Sequence, residues 1–170
     1  MNTVSSQFQD GSAEGGHPSS ILTPVSGEVI RIEHVGDPVF AQKMMGEGFG
    51  VQNPTSGDVV APVSGLITVA TSSKHALGIK TDDGLEVLLH LGIDTVELRG
   101  EPFEIDIVKG DRVEAGQRVG TMNLRAIEDA GKDPTAIIVV TNSADRLQTL
   151  IVQGGETAAG DVAATATVKG

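Results

Sequence analysis

The chain has 170 residues, of which 39% are hydrophobic and 2% aromatic, with a formal net charge of −11 and no cysteine. This length suffices for one domain with a real core, and the acidic balance excludes nucleic acid or an anionic membrane surface as the partner. Without cysteine there is no disulfide, thiolate nucleophile or cysteine-based zinc site.

Residues 1–20 contain neither a basic start nor an apolar run, so they are not a signal peptide. Their Ser, Gly and Gln content predicts a disordered tail or a linker. We expect ordered structure to begin near Ile21 and a single domain to occupy residues 21–170. No stretch approaches the ~20 apolar residues of a membrane-spanning helix, which favours a cytoplasmic protein without direct membrane insertion.

After Ile21, short apolar runs alternate with turn signals, a spacing typical of a sandwich or barrel. Val, Ile and Thr are frequent, and these β-branched residues suit pleated sheets. The predicted class is therefore all-β, an antiparallel β-sandwich or barrel with one or two short helices. The predicted strands are Gly27–Ile32, Gly50–Gln52, Asp58–Ala61, Gly65–Ala70, Ala76–Thr81, Leu85–Leu89, Arg118–Asn123, Thr135–Thr141 and Ala163–Val168.

Two short helices are predicted among these strands. The first spans Leu124–Ala130, with Asn123 as its N-cap and Gly131 just after its end. The second spans Ala144–Thr149.

Two sequence motifs occur twice. Pro24–Gly27 and Pro62–Gly65 both read Pro-Val-Ser-Gly, and the turn Gly110–Gly116 is echoed by Gly154–Gly160. Each copy leads into a strand. The repeated motifs favour a domain built from a duplicated hairpin motif, although turn sequences that recur for local reasons would also produce the repeats.

A predicted hairpin brings two histidines together. If its loop is centred on Asp82-Asp83, Lys80 faces Leu85 and His75 faces His90 as a direct cross-strand neighbour. The register holds for a two- or four-residue loop, whereas a bulge or a three-residue loop would turn one histidine to the other face.

Paired imidazoles suit phosphoryl transfer. One neutral ring can attack phosphorus while the other donates a hydrogen bond to the phosphoryl oxygens. The Gly92 carbonyl, two residues after His90, is placed to hold the attacking ring, and Ser73, on the same strand face as His75, is placed to orient the second ring. The pair could equally be a satisfied polar pair, and a metal site lacks obvious third and fourth ligands. His17 and His34 are interpreted as solvated and incidental.

Four segments carry a resemblance to a known family: Pro24–Gly27, Asp37–Ala41, His75-Ala76 and Leu89–Val96. They are similar to motifs of the glucose-type IIA proteins and domains of the bacterial phosphoenolpyruvate-dependent sugar phosphotransferase system. The resemblance runs from about Ile21 to the end of the chain.

This resemblance implies a β-sandwich that works as a phosphotransferase relay component with no obligatory cofactor. His90 would accept phosphate through Nε2 from the histidine-containing phosphocarrier protein, and a cysteine in the IIB domain of a sugar permease would receive it. His75 would support the phosphoryl group, Ser73 would hold His75, and Gly92 would fix the His90 tautomer.

The resemblance also implies a shallow apolar patch that docks both partners. Val39, Phe40, Met44 and Met45 match that segment, although they could also be core residues under a loop. Asp37 and Asp94 could be rim charges that meet basic residues of a partner, or plain turn residues.

Three rival functions stay open from the sequence alone. A zinc peptidase of similar architecture needs a His-x-His element, which is absent. A biotinyl or lipoyl carrier would be modified on a lysine such as Lys43, but the preceding Glu-x-Met is missing. A regulator that binds permeases or kinases would use the same face as the relay.

Overall fold

A computed structural model describes residues 17–169, so the predicted tail lies outside the described residues except for its last four positions. Antiparallel strands dominate this part of the chain, which confirms the predicted class. The strands are β1 (His17–Leu22), β2 (Gly27–Arg31), β3 (Glu47–Gln52), β4 (Asp58–Val60), β5 (Gly65–Ala70), β6 (Ala76–Lys80), β7 (Glu86–Ile93), β8 (Phe103–Ile105), β9 (Arg112–Val113), β10 (Arg118–Met122), β11 (Asp133–Val140), β12 (Leu147–Val152), β13 (Gly155–Thr157) and β14 (Val162–Val168).

Between residues 17 and 169, three short α-helices interrupt the strands: α1 (Pro38–Ala41), α2 (Leu124–Asp129) and α3 (Ser143–Arg146). The predicted cap of α2 is confirmed, because Ala126 N donates to Asn123 Oδ1 at 3.0 Å. Gly131, just past its end, has a positive φ of 77° that suits a C′ glycine.

The strands form one large sheet and two small ones. The large sheet has the order β13-β2-β3-β11-β7-β6-β5-β9, and the small sheets have the orders β1-β14-β12 and β4-β10-β8. Side chains from all three sheets join one buried cluster, which includes Ile21, Phe49, Leu89, Ile138 and Ala164. The main core therefore lies between packed sheets, as in a sandwich.

The repeated motifs occupy equivalent places. Each Pro-Val-Ser-Gly turn supplies a serine hydroxyl that accepts a backbone N–H from the matching glycine-rich turn. The last residue of the strand before each turn donates its backbone N–H to the proline carbonyl of the other turn. These bonds run from Ala159 N to Ser26 Oγ (2.9 Å), Ala115 N to Ser64 Oγ (2.7 Å), Leu22 N to Pro62 O (2.9 Å) and Val60 N to Pro24 O (2.8 Å). The two halves are thus structurally similar, as the echoes indicated.

Several element boundaries differ from the sequence prediction, and two of the differences result from pairing with β14. Strand β1 includes His17–Ser20, which the sequence analysis assigned to the tail, because β1 pairs with β14 along its whole length. The second predicted helix was wrong over its last three residues: α3 ends at Arg146, and Leu147 begins β12, which pairs with β14.

A smaller buried cluster covers part of the outer face of the large sheet. Ile137 and Val139 of β11 point outward and are packed under Ile32, Val35 and Phe40. On the adjacent strand β7, alternation buries Leu89 in the main core and turns His90 to this outer face. Phe40 therefore ends up beside His90.

Candidate functional site

The hairpin that carries the histidines has a three-residue loop. Thr81 N donates to Leu85 O at 2.9 Å, and Gly84 within the loop has a φ of 96°, a conformation that glycine adopts without strain. Lys80 consequently faces Glu86, not Leu85. The predicted register was wrong by one residue.

The shift places Ala76, not His75, opposite His90 on the neighbouring strand. His75 lies in the turn before β6, where Lys74 has a positive φ of 60°. This turn redirects the chain, and Leu91 N fixes it by donating to His75 O at 2.7 Å.

The two imidazoles meet despite the changed register. Their ring centroids are 4.9 Å apart and the rings are inclined at 78°, edge to face. Both side chains are half-buried, so a face of the pair is open to another molecule. The predicted contact between His75 and His90 is present. It arises because the turn before β6 directs His75 toward His90, and not because the two residues are paired across the strands.

Gly92 holds the His90 ring. The distance from His90 Nδ1 to Gly92 O is 2.7 Å, and since a carbonyl only accepts, Nδ1 carries the proton. The neutral ring then has its lone pair on Nε2, the nitrogen that faces away from this bond. Gly92 has a φ of 86°, which directs its carbonyl back toward the ring.

Ser73 and Thr71 hold the His75 ring. Ser73 Oγ lies 2.8 Å and Thr71 Oγ1 lies 3.4 Å from His75 Nδ1. A hydroxyl can donate or accept, and in the tautomer in which the Ser73 hydroxyl donates to Nδ1, Nε2 carries the proton and His75 presents an N–H to the site. Ser73 sits in the turn and not on a strand face, and Thr71 was missed because only its contact in space connects it with His75.

If the two histidines relay a phosphoryl group, as the resemblance implies, Ser73→Ala should slow onward transfer about tenfold, because losing a hydroxyl that orients a functional imidazole has effects of this order. Ser73→Thr should retain the wild-type rate, since it keeps the hydroxyl. Single-turnover transfer from the phosphorylated protein measures both, and equal rates in the alanine and threonine variants would contradict the orienting role.

The segment around α1 carries three exposed apolar side chains and one buried aromatic ring. Val39, Met44 and Met45 are 43%, 69% and 37% exposed, respectively. Phe40 is different: it is 7% exposed, and its ring centroid lies 5.2 Å from that of His90. Phe40 therefore supports the histidine from below and offers little surface to a partner.

Val96, an exposed apolar residue shortly after the histidine strand, was not singled out by the sequence analysis. Val96 is 51% exposed in the 3₁₀ turn Thr95–Leu98, directly after Asp94. The turn contains two apolar residues, Val96 and Leu98, and the sequence alone did not indicate that Val96 is the more exposed of them.

Asp37 and Asp94 act on His90 from the rim of the site. Burial is the largest influence and lowers the pKa of His90, while the Gly92 carbonyl and the two carboxylates raise that pKa without overcoming burial. Burial and the neighbouring His90 also lower the pKa of His75. Both rings are therefore neutral at pH 7.

Asp37 has a second role, because its Oδ1 accepts a hydrogen bond from Val39 N at 2.9 Å and caps α1.

These shifts predict a pH profile. If His90 accepts a phosphoryl group, as the resemblance implies, acceptance needs its neutral ring. The pKa of His90 lies below the usual ~6.5, so the rate should be flat at neutral pH and fall only on acidification below that value. Asp37→Asn removes a carboxylate that raises the pKa, so it should move this acid limb to lower pH while the Asn oxygen keeps the cap. A pH–rate series on single-turnover labelling tests this, with Asp106→Asn as a distant control. A limb displaced to higher pH would contradict the assignment.

The rival sites find little support in the described residues. Between residues 17 and 169, no group of three or more His, Cys, Asp or Glu side chains is close enough to hold a metal ion. Lys43 Nζ lies 3.3 Å from Glu47 Oε1 and 3.8 Å from Glu33 Oε2, and is engaged in a surface ion-pair cluster. No helix among the described residues has the length and apolar content to cross a membrane.

Comparison with known proteins identifies the class. Residues 19–146 match the family model described as phosphoenolpyruvate-dependent sugar phosphotransferase system, EIIA 1. Over 124 residues the chain is 48% identical to the glucose-specific EIIA component of Staphylococcus aureus strain MSSA476, which covers 73% of this chain and 74% of that protein. Over 122 residues it is 47% identical to the glucose-specific EIICBA component of Streptococcus pneumoniae serotype 4 strain TIGR4, covering 72% of this chain and 17% of that protein.

A solved structure agrees with these sequence matches. The glucose permease IIA from Mycoplasma capricolum superposes with a TM-score of 0.78 at 39% identity, covering 88% of this chain and 96% of that one. The fold and the matches define a phosphotransferase that acts as a phosphoryl carrier in sugar uptake. The chain belongs to the EIIA 1 family of the phosphoenolpyruvate-dependent sugar phosphotransferase system. Its partners are other members of that phosphotransfer chain, and the rival functions are not favoured.

Proposed function

We propose that His90 accepts the phosphoryl group on Nε2 from the histidine-containing phosphocarrier protein and passes it to a cysteine in the IIB domain of a sugar permease. The observation that carries this proposal is the hydrogen bond from His90 Nδ1 to Gly92 O, beside the His75 ring. This phosphoryl transfer through His90 would take place in the cytoplasm. The names of the relatives, which are glucose-specific, favour glucose as the sugar.

In the accepting step, the Nε2 lone pair of neutral His90 attacks the phosphorus of the donor phosphohistidine. The N–P bond of the donor breaks as the new one forms, and the donor imidazole leaves with its electron pair. The phosphorylated ring keeps its Nδ1 proton, and Gly92 O stabilises the positive charge that spreads over the ring. The N–H on His75 Nε2 donates to a phosphoryl oxygen.

In the forwarding step, a cysteine thiolate of the IIB domain attacks the same phosphorus. The bond to His90 Nε2 breaks, and the imidazole returns to its neutral form with the Nδ1 proton still in place. No proton has to enter or leave His90 during the cycle. A fixed tautomer therefore suits both directions of transfer, and positioning supplies most of the catalysis.

The surroundings of the histidines suit protein partners. The exposed apolar residues Val39, Met44, Met45 and Val96 offer a surface that a partner can desolvate. Asp37 and Asp94 attract partners with Arg or Lys on their docking face.

Incubating the protein with the phosphorylated phosphocarrier protein should give one acid-labile, base-stable phosphate. Peptide mapping at neutral to alkaline pH should locate it on His90. Phosphate found on another residue would refute the assignment. Transfer from the labelled protein to several purified IIB domains would then identify the acceptor and the sugar.

A further inference from the structure

A cleft outside the paired histidines has no role in the mechanism above. It lies between residues 70–77 and the segment 105–109, with a volume of about 250 Å³. Leu77, Ile105 and Ile107 provide apolar lining, and Val108, Lys74 and Lys109 stand around it. We call it the lysine cleft.

The charge of the lysine cleft is opposite to that of the protein. Its lining contains two lysines and no acidic residue, while the whole chain carries −11. Within residues 17–169, neither Lys74 nor Lys109 forms an ion pair. Val108, which also lines the cleft, is 59% exposed. Unpaired ammonium groups beside exposed apolar surface indicate an occupant that is both anionic and apolar.

The lysine cleft adjoins the histidine site. Thr71 belongs to its lining and also lies 3.4 Å from His75 Nδ1. Lys74 directly precedes His75 in the turn. The charges around the two rings are therefore divided: Asp37 and Asp94 act on His90, and Lys74 with Lys109 lies on the side of His75.

The volume of the cleft limits what fits. Small-molecule sites typically enclose ~300–1,000 Å³, so this cleft suits one or two side chains of a protein better than a whole metabolite. Its continuity with the histidine site means that a protein docked there for phosphoryl transfer would cover both.

We propose that the lysine cleft is a second anchoring point for a partner of the phosphotransfer chain and receives an apolar side chain flanked by carboxylates. Basic residues of the same partner would face Asp37 and Asp94, so the divided charges would fix how that partner is rotated over the histidines. This inference rests on the proposed function, since it assumes transfer at His90.

Lys109→Glu tests the anchor at a distance from the chemistry, with Lys109→Gln as the neutral variant. The matched control is Lys169→Glu, because Lys169 is exposed, makes no ion pair among the described residues and undergoes the same change of charge. The KM for the phosphocarrier protein or for the IIB domain should rise about fivefold or more in Lys109→Glu and by a smaller factor in Lys109→Gln. The kcat should stay within about twofold of the wild-type value, since rim charges act mainly on association. An unchanged KM for both partners, or an equal rise in the Lys169→Glu control, would overturn the anchor.

Amide shifts of the ¹⁵N-labelled 170-residue chain supply a direct readout. The partner affected by Lys109→Glu should shift the amides of residues 105–109 as well as those around His90. Shifts in 105–109 produced by octanoate or inorganic phosphate but by neither partner would mark a small-anion site and overturn the docking role. Labelling of the wild-type protein separates the two proposals. If phosphate is found on His90 but neither KM nor the amides of residues 105–109 respond, only the anchoring role is refuted. If phosphate is found on another residue, the proposed function is refuted.

Discussion

Replacing His90 with glutamine is expected to abolish phosphoryl acceptance, a loss of at least about a thousandfold, as when a covalent nucleophile is removed from an enzyme. The amide nitrogen of glutamine has its lone pair delocalised into the carbonyl and cannot attack phosphorus. Label transfer from the phosphorylated phosphocarrier protein, quenched in base, measures the loss.

The variant should remain folded, because His90 is half-buried on the outer face of the sheet and is not part of the main core. A thermal unfolding midpoint close to that of the wild type provides the control. Substantial labelling of His90→Gln, with phosphate on His75, would show that the roles of the two rings are exchanged.

His75→Gln should behave differently and so separates the two histidines. Acceptance exchanges one imidazole for another, and it should survive in part. Forwarding brings a thiolate beside the phosphoryl group, which increases the negative charge that the His75 N–H must stabilise, so onward transfer should be blocked. Normal sugar phosphorylation by this variant would contradict the supporting role of His75.

The hairpin shows where sequence reasoning reached its limit. The Asp82-Asp83-Gly84 run was correctly read as a turn, but its glycine is also the signal of a three-residue loop with a residue of positive φ. The Thr81 hydroxyl stabilises this form by donating to Asp83, and it accepts the Leu85 N–H at 2.9 Å. The sequence analysis recognised that a three-residue loop was possible. Only the contacts made by Thr81 show that the chain adopts this loop length.

The contact between the histidines depends on a feature without a sequence signal. Lysine seldom adopts a positive φ, yet Lys74 does so, in a turn packed against residues far along the chain: a Cβ built on Gly100 would lie 3.3 Å from Ser73 O. Motif spacing and family resemblance pointed to the pair, whereas the local backbone reasoning alone gave the wrong geometry. Local contacts with Gly92 and Ser73, two residues from their histidines, could be predicted.

Long-range pairing explains the misplaced element boundaries. The sequence His17–Leu22 contains little that marks a strand, and it becomes one because β14 offers it a partner. Leu147–Thr149 follows a helical turn and could continue it, but pairing with β14 draws it into a sheet. Such choices are made by tertiary contacts and override local propensity.

Gly92→Ala should lower the free energy of unfolding by more than 2 kcal/mol, on the order of an overpacked core site combined with a strained backbone. A Cβ at this position would lie 2.3 Å from Thr95 Cγ2, and the φ of 86° adds strain for any residue but glycine. Thr95 cannot move aside freely, because it is fully buried and its hydroxyl donates to Leu91 O at 2.5 Å.

Two variants separate the contributions in urea unfolding. Gly131→Ala has a similar φ of 77° with no atom within 4 Å of the added Cβ, so it should show the backbone strain alone, about 1 kcal/mol. Combining Gly92→Ala with Thr95→Ser removes the closest atom and should restore part of the stability. Because the clash displaces the carbonyl that holds His90, phosphoryl acceptance by folded Gly92→Ala should also fall. Wild-type acceptance by this folded variant would show that the hydrogen bond to Gly92 does not prepare Nε2 for attack.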